Sequence, residues 1–155
     1  MRKYLLLSAC VIGILLLGIG SGLSTSGEIK NWFALLNKPF FNPPNYLFGP
    51  VWTVLYTILG ITLFNIIRLP HDSNRSIILK LFVVQMALNL SWSSVFFGAH
   101  ALLGGLIVIV ALWCSIVVLL YKLFKAAPVL AYINLPYLGW VSFASVLNAS
   151  IWWLN

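Results

Sequence analysis

Amide and aromatic side chains recur at helical spacing in two long apolar segments of the sequence. The first segment carries Gln85, Asn89, Trp92, Ser93 and Phe96. The second carries Trp140, Phe143, Ala144, Leu147, Asn148 and Trp152. Residues related by steps of three or four share one face of a helix. An apolar pocket with aromatic walls and one or two amide donors suits a large, flat, mostly hydrophobic ligand.

A structural interpretation of the same residues is the alternative. Asn and Gln also hydrogen-bond between membrane helices, each bond contributing about 0.6–2 kcal/mol, and Trp packs or anchors at membrane surfaces. The seven Trp residues exceed what two interfacial belts require. Trp52, Trp92 and Trp140 do not all lie at the ends of apolar segments. Their convergence therefore favours a pocket.

Side chains for conventional catalysis are missing from the apolar segments. Ionisable residues inside a membrane usually mark transport and proton relay, whereas His71 and Asp72 fall in a connecting loop and His100 in a tight turn. The sequence contains no apparent Ser-His-Asp set, phosphate loop or metal-ligand cluster. Cys10 and Cys114 are interpreted as small apolar fillers. These features argue against a proton-coupled pump and predict no metal site.

The composition indicates an integral membrane protein. Of the 155 residues, 62% are hydrophobic and 7% are charged, against roughly one quarter charged in a soluble domain. Five stretches reach the roughly 20 apolar residues that span a bilayer: 4–23, 46–67, 77–97, 101–123 and 129–153. Because these stretches are apolar all round, they predict helices rather than a β-barrel. The predicted fold is an all-α bundle of five transmembrane helices in one domain, residues 1–155.

The positive charge is better explained by topology than by nucleic acid binding. One side of the predicted bundle carries Arg2, Lys3, Arg68, Arg75, Lys80, Lys122 and Lys125, and the other carries Lys30 and Lys38. The positive-inside rule then places the amino terminus in the cytoplasm, with the 24–45 loop and the carboxyl terminus outside. This bias fits a bacterial cell membrane, with membrane lipids as partners and no nucleic acid.

The segment "KPFFNPPNYLFGPVW", residues 38–52, is unusual for a loop because it combines prolines with aromatics and carries one charge. Pro43 favours an extended backbone, and Pro50 falls in the first turn of the second helix, where its missing N–H costs little. We interpret the segment as a stiff outer wall that caps a ligand cavity. Pro136 is predicted to kink the fifth helix.

Three ordered motifs resemble the TspO/MBR family of tryptophan-rich sensory and translocator proteins. They are "WFALLNKPFFNPPNYLFGPVWTVLY" at 32–56, "LNLSWSSVFFG" at 88–98 and "LPYLGWVSFASVLNASIWWLN" at 135–155. The resemblance implies a five-helix bundle, often a homodimer, whose cavity opens towards the first loop. It also implies binding of tetrapyrroles such as protoporphyrin IX and haem and, in many members, of sterols and benzodiazepine-type drugs. No cofactor is required.

The resemblance also implies a set of pocket residues. Matched position by position, they are Trp32, Phe33, Pro43, Trp52, Asn89, Trp92, Trp140, Phe143, Ala144 and Leu147. Trp52 and Asn89 would be the polar contacts to a ligand carbonyl or carboxylate. Trp52 and Trp140 match positions implicated in light- and oxygen-dependent porphyrin breakdown in some bacterial members, so an enzyme remains an alternative.

Two further expectations concern partners. The family's cholesterol motif in the last helix is absent, because Ala149 and Trp153 occupy that region with no Lys or Arg after them. A sterol site there is therefore not expected, although sterol binding elsewhere stays open. A regulatory or structural role through protein contacts is the remaining alternative.

Overall fold

The computed structural model describes residues 1–155 except the side chain of Ser73, and its regular structure is helical throughout the described chain. The helices are α1 (Arg2–Lys30), α2 (Trp32–Leu35), α3 (Phe48–Ile67), α4 (Ser73–Ser93), α5 (Leu102–Ala126), α6 (Pro128–Ile133) and α7 (Leu135–Leu154). A 3₁₀ turn at Asn45–Leu47 precedes α3, and a π-helical turn at Ser94–Gly98 continues α4.

Five segments are long and apolar enough to cross a membrane. They are Arg2–Lys30, Asn45–Ile67, Asn74–Gly98, Leu102–Ala126 and Pro128–Leu154. The predicted fold class, an all-α five-helix membrane bundle, is confirmed. The protein is an integral, multi-pass membrane protein.

The bundle has a defined order of neighbours. α1 packs against α3 and α4, α4 packs against α5, and α5 packs against α6 and α7. Contacts of α6 with α3 bring the fifth span next to the second. The fully buried side chains Leu59, Ile66, Ile78 and Leu123 lie in the core between these helices.

Glycines set the distance between α1 and α3. A Cβ at Gly60 would lie 2.6 Å from the Cα of Val11, and a Cβ at Gly18 would lie 2.2 Å from the Tyr56 ring. Gly22, which shares the small-residue spacing with Gly18, has no atom within 4 Å of such a Cβ. The two helices are therefore in close contact as far as Gly18, and beyond it a cavity lies between them.

Helix ends differ most from the predicted bounds in two places. α1 continues to Lys30 rather than ending near residue 23, and hydroxyl groups in its last turns are satisfied by carbonyls of the preceding turn, as Ser26 Oγ is by Leu23 O at 3.0 Å. α4 begins at Ser73, and Asp72 caps it by accepting from the Arg75 backbone N–H at 2.7 Å.

The fifth span is divided where a kink was predicted. α6 ends at Ile133, α7 begins at Leu135, and Pro136 lies in the first turn of α7. The buried Asn134 between them donates through Nδ2 to Leu130 O and to Thr62 Oγ1, both at 2.7 Å. A side chain thus supplies hydrogen bonds where the helix is interrupted.

The first loop is fastened to the end of α7. The Asn37 backbone N–H donates to Asn155 Oδ1 at 2.9 Å, and Asn155 Nδ2 donates to Asn37 O at 3.0 Å. Nδ2 of Asn37 also donates to Leu154 O at 3.3 Å. We call this pair of side chains the Asn37–Asn155 clamp; it holds the loop over the end of the bundle.

Candidate ligand-binding cavity

A cavity of about 390 Å³ lies between α1, α3 and α4. Its volume is within the range of roughly 300–1,000 Å³ that small-molecule sites occupy. Phe33 of α2 and Asn45 of the 3₁₀ turn border it at the end where the first loop lies, which we call the loop end. The opposite end is closed where the Tyr56 ring packs on Gly18.

Aromatic side chains form most of the wall opposite α1. They are Phe33, Phe48, Trp52, Tyr56, Trp92 and Phe97. The Trp52 and Tyr56 rings are stacked, with centroids 5.2 Å apart and planes 29° apart. Because the two residues are one turn apart on α3, they present a continuous aromatic surface to the cavity.

The π-helical turn directs the adjacent side chains of Phe96 and Phe97 to two different surfaces. The Ala99 N–H donates to Ser94 O at 2.9 Å, five residues back. Phe97 consequently lines the cavity. Phe96 instead packs against Gly105, where a Cβ would lie 2.7 Å from its ring. Such turns often occur at functional sites in helices.

A buried hydrogen-bond chain begins at the cavity and crosses the bundle. The Tyr56 hydroxyl donates to Asn89 Oδ1 at 2.8 Å, and Asn89 Nδ2 donates to the Tyr137 hydroxyl at 3.0 Å. Tyr137 in turn donates to Gln85 Oε1 at 2.8 Å. Asn89 and Gln85 therefore hold α3, α4 and α7 together, which matches the structural interpretation of these amides. One amide hydrogen of Asn89 remains for a ligand.

Removing the Tyr137 hydroxyl should destabilise the bundle. Tyr137→Phe leaves the Asn89 donor and the Gln85 acceptor without this buried partner, so we expect the free energy of unfolding to fall by about 1–2 kcal/mol. Denaturant titration in detergent, followed by circular dichroism, measures this change. Tyr46→Phe, at an exposed tyrosine, is the matched control. Equal stability of the two variants would contradict the assigned chain.

Hydroxyl groups tie α1 to the opposite side of the cavity. Thr25 Oγ1 and Ser93 Oγ are 2.8 Å apart, and Ser21 Oγ donates to Leu90 O at 3.2 Å. Both bonds join α1 to α4, so that edge of the cavity is closed.

The two tryptophans of the cavity differ in their hydrogen bonds. Trp92 Nε1 donates to Asn148 Oδ1 at 3.1 Å, which joins α4 to α7. Among the described residues, the hydrogen bonds of this wall include the one from Trp92 Nε1 and none from Trp52 Nε1. The Trp52 indole N–H is thus, with the second amide hydrogen of Asn89, a donor in this wall that remains for a ligand.

A smaller void of about 30 Å³ lies behind the aromatic wall. Phe48, Trp52, Asn89 and Trp92 line both spaces. The void is completed by α5 and α7, through Ile109, Leu112, Trp140, Val141 and Ala144. Trp52 therefore separates the cavity from Trp140.

The pocket residues implied by the sequence fall into three groups. Phe33, Trp52, Asn89 and Trp92 line the cavity. Trp140 and Ala144 line the void. Trp32, Pro43, Phe143 and Leu147 line neither.

The third group has other neighbours. Trp32 stacks on His100, with centroids 4.4 Å apart. Phe143 packs beside Trp140, with centroids 5.5 Å apart, and Leu147 is buried in a cluster with Phe33. Within the 38–52 segment, the residues that line the cavity are Asn45, Phe48, Gly49 and Trp52. None of the prolines of this segment lines it.

Sequence reasoning missed the contribution of α1. Eight α1 residues line the cavity: Leu15, Gly18, Ile19, Ser21, Gly22, Leu23, Thr25 and Ile29. The only sequence signals in α1 are glycines and hydroxyl residues, which are also typical of packing between membrane helices. A glycine face opposite an aromatic stripe was the feature that could have indicated a cavity.

A hydrogen bond and a ring stack of His100 join three segments at the loop end. His100 Nε2 and Glu28 Oε2 are 2.8 Å apart, and the His100 ring stacks on Trp32. His100 has φ 54°, the left-handed conformation that the turn between α4 and α5 requires. Its contacts connect that turn to α1 and α2.

The sequence model of the TspO/MBR family matches residues 10–154. The chain belongs to the TspO/MBR family. Among relatives of this family, the tryptophan-rich protein TspO of Archaeoglobus fulgidus is 41% identical over 152 residues, 96% of each chain. The protein of the same name from Chlorobaculum tepidum is 38% identical over 157 residues, 100% of this chain and 99% of its own. The translocator protein of Homo sapiens is 30% identical over 128 residues, 81% of this chain and 76% of its own.

Proposed function

We propose that the protein binds a tetrapyrrole, protoporphyrin IX or haem, in the cavity and acts as a sensor, carrier or scavenger. The observation that carries this proposal is an aromatic-walled cavity within a membrane bundle, lined by Trp52, whose indole N–H has no hydrogen-bond partner among the described residues. A flat apolar ring buries a large apolar surface when it packs against aromatic walls, and a few polar groups set its orientation.

Polar contacts would orient the ligand at two places. Trp52 Nε1 and the second amide hydrogen of Asn89 are donors for a carboxylate or carbonyl. At the loop end, the Lys38 ammonium lies 4.8 Å from the centre of the Phe33 ring, which lines the cavity. Lys38 does not line the cavity, but its positive charge would favour an orientation with the carboxylates of the macrocycle towards the loop end and the apolar rings among the aromatics.

Titration of protoporphyrin IX into the purified protein in nanodiscs tests this function. We expect saturable quenching of Trp emission together with a shift of the porphyrin absorption. Quenching should weaken in Trp52→Phe and Trp140→Phe. Empty nanodiscs with N-acetyltryptophanamide control for light absorption by the porphyrin and for its partition into lipid. Unquenched emission, or quenching unchanged in both variants, would contradict the function.

Light- and oxygen-dependent porphyrin breakdown is the second candidate. The observation that favours it is that Trp52 and Trp140 border the same void. Molecular oxygen would be the oxidant and the excited porphyrin its sensitiser. Illumination of the complex in oxygen should then produce bilin-like absorption. Porphyrin loss at the same rate in Trp52→Phe/Trp140→Phe would contradict a reaction directed by the protein.

Benzodiazepine-type drugs are proposed for the same cavity, on the basis of family membership. A homodimer is proposed because small and apolar residues such as Gly13, Leu16 and Leu17 of α1 are exposed on the bundle surface. We also propose a bacterial cell membrane with the amino terminus in the cytoplasm, which the unequal division of Lys and Arg supports. Cross-linking in bilayers tests the dimer and any role that depends on protein contacts.

A further inference from the structure

One side of the cavity is formed by residues exposed on the outer surface of the bundle. On α1 these are Ile19, which is 53% exposed, Leu23, which is 70% exposed, and Gly22. On the facing side they are Asn45, Gly49 and Thr53. All six lie within the first two membrane-spanning segments. We call the opening between these two sets of residues the slot.

The spacing of α1 and α3 changes along their length. At Gly60 and Gly18 an added Cβ would meet the partner helix at 2.6 Å and 2.2 Å. At Gly22 and Gly49, near the loop end, an added Cβ would have no atom within 4 Å. The helices are thus in contact on one side of the cavity and apart at the slot.

Hydrogen-bonded or buried groups lie at the other boundaries of the cavity. Ser21 and Thr25 tie α1 to α4. At the loop end, Phe33 is only 4% exposed, and the Asn37–Asn155 clamp holds the loop that follows it. A ligand arriving from water would have to displace this packed loop.

The edges of the slot are apolar apart from Asn45 and Thr53. The Thr53 hydroxyl donates to Gly49 O at 2.9 Å, so its donor is used within α3. On α1, the Ser21 hydroxyl donates to Leu90 O and does not face the slot as a free donor. A ring passing between Gly22 and Gly49 would meet hydrocarbon and the glycine backbone. The hydrocarbon resembles the lipid chains that the ring leaves.

We propose that flat apolar ligands reach the cavity sideways from the hydrocarbon layer, passing edge-on through the slot, and that Gly22 and Gly49 fix the thickness that can pass. This proposal rests on the proposed function, because it concerns access to the same cavity. The slot lies between two segments that are long and apolar enough to cross a membrane, so it would open towards the layer in which such a ligand partitions. Gly22 and Gly49 leave open there the space that a side chain would fill.

Substitutions at the two glycines test the route. Gly22→Leu and Gly49→Leu project side chains into open space, so the fold should tolerate them, which circular dichroism checks. With protoporphyrin IX supplied from donor vesicles to protein in nanodiscs, both the association and the dissociation rate should fall by about tenfold, while the dissociation constant changes little. Gly139→Leu, on α7 where an added Cβ also meets open space and which lines neither the cavity nor the void, is the matched control and should keep wild-type rates.

Asn155→Ala distinguishes the competing route through the loop. Releasing the Asn37–Asn155 clamp should leave both rates unchanged if the ligand passes through the slot. Faster exchange in Asn155→Ala, or wild-type rates in both leucine variants, would overturn the slot. Weaker equilibrium binding with an unchanged association rate would overturn it too, because the leucines would then occupy the site rather than the route. If the wild type fails to bind protoporphyrin IX at all, the proposed function fails instead.

Discussion

Gly60→Ala should lower the free energy of unfolding by about 2–4 kcal/mol. The new Cβ would lie 2.6 Å from the Cα of Val11, which is a backbone atom and not the end of a flexible side chain. Relief therefore requires α1 to move away from α3 as a unit. Because α1 packs mainly on α3, such a movement disturbs one side of the bundle.

Gly13→Ala separates this steric effect from helix propensity. Alanine favours a helix over glycine by about 1 kcal/mol, so both variants gain that contribution, but a Cβ at Gly13 meets no atom within 4 Å. Denaturant titrations of the two variants in one detergent, followed by circular dichroism, give the difference. A Gly60→Ala variant as stable as Gly13→Ala would show that the two helices are farther apart than the structure places them.

Trp52→Ala should weaken protoporphyrin IX binding by about 30- to 100-fold, or roughly 2–3 kcal/mol. The substitution removes the aromatic surface stacked on Tyr56 and the indole donor that has no protein acceptor. It also removes a side chain that separates the cavity from the void beside Trp140, so the ligand would lie in a wider, less complementary space. Absorbance titration measures the dissociation constant.

Trp52→Phe divides this effect into two contributions. Phenylalanine keeps most of the ring surface and lacks the N–H donor, so we expect a loss of about five- to tenfold. Trp153→Ala is the control, because Trp153 is 82% exposed at the end of α7 and lines neither space. Equal dissociation constants for Trp52→Ala and Trp153→Ala would remove Trp52 from the site.

Much of the fold could be predicted because hydropathy and segment length decide which helices span a membrane. The bounds could not, because they depend on local hydrogen bonds that hydropathy does not record. α1 extends through a polar sequence whose hydroxyls, such as that of Ser26, donate to the helix's own carbonyls. The division between α6 and α7 depends on Asn134 as well as on Pro136, since the Asn134 amide binds both Leu130 O and Thr62.

The site was predictable to the extent that its residues have distinctive side chains. Trp52, Asn89 and Trp92 share the cavity wall. Helical spacing in the sequence already placed Asn89 and Trp92 on one face of α4. The α1 side could not be predicted, because Gly22 contributes to the cavity through the absence of a side chain. Nor did the sequence show that Leu147 turns into a separate cluster with Phe33, which depends on how α7 is rotated.

The length of α1 connects the slot to the lipid around the protein. Its 29 residues measure about 44 Å at 1.5 Å per residue, against a hydrocarbon layer of about 30 Å. A helix longer than this layer adjusts by tilting, and the tilt depends on how thick the layer is. Because α1 is held to α3 at Gly60 and to α4 by Ser21 and Thr25, a change in tilt would alter the spacing on the α3 side, between Gly22 and Gly49, where no such contact holds it. The acyl-chain length of the host membrane should therefore set how fast the cavity exchanges its contents, without any change in the sequence.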